Sequence, residues 1–155
     1  MKSVTGRQAQ RGVAMVEFAI ALPLLLLLLL GVAEFGRMLF HYNSLLQASR
    51  DAARYAAGQA WNATLGEVDL NATLQGETRN VAVYGVPSAS AGFAPVVPGL
   101  STAHVSVQQS ATDDRYVQVS IAYPFQPVLG VLPNFYGDDI SLSVTLNASV
   151  VMRAL

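Results

Sequence analysis

Residues 13–33 read VAMVEFAIALPLLLLLLLGVA, and the interpretation of this stretch decides the fold. Its only charge is Glu17, and Leu24 to Leu30 are consecutive leucines. Such a run is apolar on every side of a helix, which suits lipid better than the one-sided face of a soluble helix. At ~1.5 Å per residue the stretch spans roughly 31 Å, the thickness of a bilayer core. A single membrane-crossing helix is predicted.

On its N-terminal side, residues 1–12 (MKSVTGRQAQRG) carry Lys2, Arg7 and Arg11 with no acid and almost nothing apolar, so they read as a leader. Basic residues before the span and none just after it predict a cytoplasmic N-terminus and an extracytoplasmic remainder, with the chain in the inner (cytoplasmic) membrane. After the span, Phe35, Met38, Leu39, Tyr42, Leu45, Leu46, Ala52, Ala53 and Ala56 recur at three- and four-residue steps, while Arg37, His41, Asn43, Gln47, Arg50, Asp51 and Arg54 fall on the other side. This pattern predicts that an amphipathic helix continues over 34–58, with Gly58 as its cap. Unbroken from Val13 to Ala57 it would be about 67 Å long, with a kink at Pro23, whose ring removes a backbone hydrogen bond.

Residues 59–155 are expected to form a β-rich extracytoplasmic head. Strand candidates are Val81–Val86, Val105–Val107, Tyr116–Tyr123 and Ser141–Met152, several alternating apolar with Ser, Thr or Gln. SATDDR (110–115) reads as a hairpin connection, and 87–99 and 124–139 as Pro/Gly-rich loops. So few strands cannot cover both faces of their sheet, which leaves the amphipathic half of the long helix as the partner. The expected class is α+β: a long N-terminal helix packed at its C-terminal half on a small antiparallel sheet.

Composition narrows function mostly by exclusion. With no cysteine and two histidines in 155 residues, thiolate metal sites, disulfides and cysteine nucleophiles are absent and imidazole chemistry is scarce. Hydrophobic residues make up 52% and charged residues 12%, with a mean hydropathy of +0.39, which favours a membrane or protein partner. Past the leader the acids outnumber the bases, so nucleic acid is not an expected partner. Phosphate-loop, nucleophile-elbow and zinc-protease motifs are missing, and no enzyme activity, cofactor or small-molecule substrate is expected. Asp113-Asp114 and Asp138-Asp139 lack the spaced carboxylates of a calcium loop and read as turn acids, His41 and His104 have no local metal partner, and no metal site is assigned. The Asn-Ala-Thr words at Asn62 and Asn71 and Asn147-Ala-Ser match the glycan acceptor pattern and are left unassigned.

The junction at Gly12 is the informative place. The small residue stands before the apolar run, where a secretory signal would have it afterwards, and Glu17 comes five positions later. An acid within a span costs roughly 2.5–3.5 kcal/mol at mid-bilayer and less near an end, so it calls for a compensating partner. Cleavage after Gly12 would create one, since the new α-amino group at Val13 is positive at neutral pH and could pair with Glu17 of the same or a neighbouring subunit.

Arg11-Gly12, four residues, Glu17-Phe18 and a leucine-rich helix resemble the processing site of type IV prepilins. The resemblance continues through EFGR (34–37) and RDAARYAA (50–57), where the chain is similar to the TadE/TadG-type minor pilins of tight-adherence (Tad, Flp, type IVb-like) pili. It implies cleavage by a prepilin peptidase between Gly12 and Val13 and a role in pilus assembly or initiation. Its implied partners are the peptidase, major and other minor pilins, the assembly platform and membrane lipid. Small major Flp pilins carry Glu-Tyr where this chain has Glu17-Phe18 and lack a large head, so a major fibre subunit is not expected. Arg50, Asp51 and Arg54, within one helical turn, form a candidate partner-contact patch whose bland counterpart is a solvated helix face. Two other readings stand beside this one: an unprocessed, signal-anchored envelope protein whose head binds something outside, and a type II secretion pseudopilin.

Overall fold

The computed structural model describes residues 6–88, 92–128, 131–132, 140–141 and 143–155. In order its elements are α1 (Gly6–Gln59), β1 (Trp61–Asn62), β2 (Glu67–Val68), α2 (Ala72–Tyr84), a 3-10 turn (Thr102–His104), β3 (Val105–Gln109), β4 (Tyr116–Phe125), β5 (Val131–Leu132), β6 (Ile140–Ser141) and β7 (Val144–Arg153). The chain divides into two units, one ending at Arg37 and one beginning at Met38.

In the first unit α1 is continuous through Pro23. Its leucine run is exposed along its whole length. Among the described residues it is the one helix long and apolar enough to cross a membrane, and none of its apolar window is buried against protein. Such a helix fits a single-pass membrane anchor.

The second unit is α+β, as expected. β3, β4 and β7 form an antiparallel sheet in that spatial order, with ten residue pairs between β4 and β7 running from Tyr116↔Arg153 to Phe125↔Val144. The 110–115 connection is a turn, as expected, in which Asp113 Oδ1 accepts from the Arg115 N–H at 2.9 Å. Strand alternation puts Val117, Val119, Ile121, Tyr123 and Phe125 on one face, where they join Leu146, Ala148, Val105 and Val107 in the core. Full burial of each aliphatic side chain contributes roughly 1.5–3 kcal/mol. The other face is polar: Ser120 and Ser149 hydroxyls meet at 2.8 Å, and Gln118 Nε2 donates to Ser149 Oγ at 3.1 Å. β7 forms an edge, uncharged from Val144 to Met152 and paired only with β4 among the described residues.

From Met38 onward α1 covers the apolar face of this sheet, with a stripe that matches the expected one at Leu45, Ala52, Ala53 and Ala56 and departs from it elsewhere. Leu45, Ala48, Ser49, Ala52, Ala53 and Ala56 are buried, whereas Leu39 and Tyr42 remain exposed. His41, placed by periodicity on the polar side, is 8% exposed and stacks edge-on against Tyr123 and Phe125 at ring-centroid distances of 5.9 and 5.6 Å. The helix carries two apolar stripes, one bulky and one of small residues. The alanine stripe packs because small side chains let the helix lie close to the strands. Ser49 is satisfied within the helix, donating to the Leu46 carbonyl at 2.9 Å.

Two further expectations are corrected. Gly58 does not end α1, which includes Gln59 and closes with the Ala60 N–H on the Ala56 carbonyl at 2.8 Å. Val81–Val86 is not a strand, because Val81–Tyr84 is the last turn of α2. That helix starts where Asn71 Oδ1 accepts from the Leu74 N–H at 2.8 Å and ends at Gly85, whose φ of 76° is the left-handed cap glycine adopts without strain. Leu74, Thr78, Val81 and Ala82 are among its buried positions, a helical spacing that the short VAV alternation concealed.

Candidate functional site

In the N-terminal part of α1, Gly12, Val13, Val16, Glu17 and Ile20 line one shallow depression on the helix surface. The spacing of Val13, Val16, Glu17 and Ile20 is a consequence of helix geometry, which brings residues three and four apart onto one side. Glu17 is exposed there, and no ion pair to it is present among the described residues. A side chain built on Gly12 would meet nothing within 4 Å, so the helix itself imposes no need for glycine at that position. The Gly12–Val13 bond lies inside α1, one turn before Glu17. Val13 and Glu17 are four residues apart, neighbours on the helix surface, so an amino group created at Val13 would start close to the carboxylate.

Arg37 and Glu34 form the expected pair, with Nη2 2.9 Å from Oε2. The Arg50–Asp51–Arg54 cluster is arranged differently. All three are exposed, and Asp51 accepts two hydrogen bonds from Gln47 Nε2 at 3.1 and 3.2 Å in place of an arginine. Neither Arg50 nor Arg54 has an ion pair among the described residues, so both guanidinium groups face outward available to a partner. α1 and α2 are joined beside this patch by Tyr55, whose hydroxyl donates to Glu77 Oε2 at 2.8 Å. Partial burial first, and the Glu77 carboxylate next, push the Tyr55 hydroxyl above its ordinary 10.0.

The structure therefore gathers the sequence-selected residues into two separate places on α1, around Glu17 and around Arg50, each in its own unit. Asp138-Asp139 lies outside the described residues, as do residues 1–5 of the leader. Asp113 is a turn acid. Sequence reasoning missed the exposed apolar side chains Phe40, Val96, Val128 and Val144 on the second unit: Val96 and Val128 stand in stretches that read as loops, Phe40 lies off the apolar stripe of the helix, and Val144 belongs by alternation to the buried side of its strand.

No curated protein and no solved structure matches the chain. A family model described as TadE-like protein matches residues 12–54, from Gly12 through the leucine run to Arg54, so the chain is similar to that family over this segment.

Proposed function

We propose that the protein is a minor pilin of a tight-adherence, type IVb-like pilus, made as a precursor and cut after Gly12 by a prepilin peptidase. The observation that carries this reading is the extent of the TadE-like match, which begins at Gly12 and takes in Glu17, the span and the Arg50–Arg54 patch. Support comes also from α1, whose exposed apolar length fits a single-pass membrane anchor.

The mechanism is one of assembly. Glycine is the poorest helix former after proline, costing about 1 kcal/mol relative to alanine, so Gly12 eases the local unwinding that any peptidase acting on a bond within α1 requires. Cleavage leaves Val13 with a free amine, and the apolar helix joins those of other pilins only when Glu17 finds such an amine. One charge pair thus reports axial alignment between subunits in a low-dielectric surrounding. The outward guanidinium groups of Arg50 and Arg54 then select a neighbour by charge, and the head supplies shape. In this reading the chain is a structural subunit, not an enzyme.

Intact-mass measurement of the chain co-expressed with and without a prepilin peptidase tests the reading. Loss of residues 1–12 is expected with the peptidase. An unchanged mass returns the chain to the class of unprocessed signal anchors. Gly12→Leu is expected to abolish the cut while leaving α1 intact, since the position has open space around it.

A further inference from the structure

The glycan-acceptor pattern occurs at Asn62, Asn71 and Asn147, and the fold gives the three asparagines different surroundings. Asn147 stands in the middle of β7, opposite Ala122. Ala148 beside it is buried, and the Ser149 hydroxyl is held by Ser120 Oγ at 2.8 Å and Gln118 Nε2 at 3.1 Å. Asn62 is half-buried and stands opposite Glu67 in the β1–β2 ladder. Its Oδ1 accepts from the Thr64 and Leu65 N–H groups, and its carbonyl accepts from the Gly66 N–H at 2.8 Å. Both of these asparagines are tied into paired strands.

Asn71 belongs to no strand, and it is exposed together with Asp69, Ala72 and Thr73. Its Oδ1 accepts from the Leu74 N–H at 2.8 Å and so caps α2. Serine or aspartate would cap equally well, since only the oxygen is used. The amide Nδ2 of Asn71 and the hydroxyl of Thr73 have no hydrogen-bond partner among the described residues. Threonine is also a weak helix former, which makes it an unhelpful choice for the first turn. The helix therefore accounts for the side-chain oxygen of Asn71, but for neither of the two groups that an acceptor site needs, the asparagine amide and the hydroxyl two residues on.

A transferase must also be able to draw the acceptor away from the fold. Helix ends open more readily than paired strands in a core, and Gly76, in the next turn of α2, weakens this end further. The Asn71 backbone is already extended, at φ −64° and ψ 163°. Two residues before it, Asp69 presents an exposed charge for the transferase to hold, whereas Ala60 and Thr145 occupy the corresponding positions before Asn62 and Asn147.

We propose that Asn71 is an N-glycosylation site, whose Nδ2 takes an oligosaccharide from a polyprenyl-diphosphate carrier at a membrane oligosaccharyltransferase. Nδ2 attacks the anomeric carbon of the first sugar. The new N–C bond forms as the C–O bond to phosphate breaks, the lipid diphosphate leaves with the electron pair, and the Nδ2 proton passes to a base of the transferase. Oδ1 keeps its place throughout, so the cap on the Leu74 N–H survives the modification. The inference rests on the anchor reading, which sets residues 59–155 on the extracytoplasmic side, and is independent of the cut at Gly12.

The full chain is isolated from the membranes of the cells that make it and digested with a glutamate-specific protease, which cuts after Glu67 and so separates Asn62 from Asn71. Fragmentation mass spectrometry is expected to find an oligosaccharide on the peptide containing Asn71 and on neither of the other two. Asn71→Asp, which keeps the capping oxygen, and Thr73→Ala are expected to lose the added mass completely, and Thr73→Ser to retain it, all three with the far-UV circular dichroism of wild type. An unmodified Asn71 peptide overturns the proposal. Modification at Asn62 or Asn147, or its persistence in Thr73→Ala, does the same. The intact mass of the same sample reads the N-terminus: a chain that starts at Val13 without a glycan removes this inference and leaves the pilin reading standing, and a glycan on a chain that still starts at Met1 does the reverse.

Discussion

The Tyr55 hydroxyl on α1 donates a 2.8 Å hydrogen bond to Glu77 on α2, and the two residues are 22 apart in sequence. The bond needs the tyrosine protonated. Because burial and the facing carboxylate raise the Tyr55 pKa above 10.0, the folded state holds this proton more tightly than the unfolded chain does. The contribution to stability is therefore complete below the unfolded value and is lost as pH rises through the folded one. Denaturant midpoints are expected to be flat across neutral pH and to fall above about pH 10. Tyr55→Phe is expected to lower the neutral midpoint slightly and to reduce the alkaline fall. An unchanged alkaline limb in that variant would place the titration elsewhere.

Glu17→Ala is expected to insert into membranes normally and to be cleaved, but to enter pili or pilin complexes roughly tenfold less well, the loss that about 1.4 kcal/mol of pairing produces. Glu17→Lys should be worse, because it sets a like charge against the amine at Val13. Quantitative immunoblotting of membrane and sheared-pilus fractions measures both. Wild-type incorporation of the alanine variant would rule out the charge pair.

Reversal of Arg50 and Arg54 to Glu is expected to weaken co-purification with other pilins by about tenfold while leaving insertion and processing untouched. Both side chains are exposed and lack ion pairs among the described residues, so the fold should lose less than about 0.5 kcal/mol. Undiminished co-purification would reduce the patch to a solvated helix face.

A fragment beginning at Arg37 is expected to fold by itself, since the unit from Met38 onward contains its own core. Far-UV circular dichroism should show helix together with strand, and Ala52→Asp, which puts an unpaired charge into the core that Val117 and Val119 share, should unfold it. Retention of the native spectrum by that variant would contradict the packing of α1 on the sheet.

The long helix, the alternation of β4 and β7 and the turn between β3 and β4 were legible because each is governed by local periodicity or local turn chemistry. The buried side of α1 was legible in part: Leu45, Ala52, Ala53 and Ala56 fall on the expected face, whereas the exposure of Leu39 and Tyr42 and the burial of His41 and Ala48 are decided by the sheet, because Leu39–Tyr42–Leu46 and Leu45–Ala48–Ala52 are both acceptable apolar stripes. α2 was hidden by an alternation too short to be informative. The tetrapeptide NATL shows the difficulty at its smallest scale. At 62–65 the Asn62 side chain accepts from the Thr64 and Leu65 N–H groups and Gly66, at φ 72°, turns the chain back. At 71–74 the same four residues cap a helix, because the residues from Gln75 to Tyr84 continue it. Of the candidate site, the order of Gly12, Glu17 and the arginines along α1 was readable, whereas the diversion of Asp51 to Gln47 depended on rotamers that sequence does not specify.

The edge strand β7 sets a limit of a colloidal kind. Among the described residues its outer side is unpaired, and ten residues of ladder without a charge before Arg153, a proline or a bulge offer a template to an extended chain that comes alongside. Held in a membrane, heads meet only at the surface density of their anchors. Released into solution and concentrated, they meet in every orientation, and association along this strand then competes with remaining monomeric. The anchor thus serves the head as a diluent, and the solubility of the isolated head is governed by its last strand more than by its net charge.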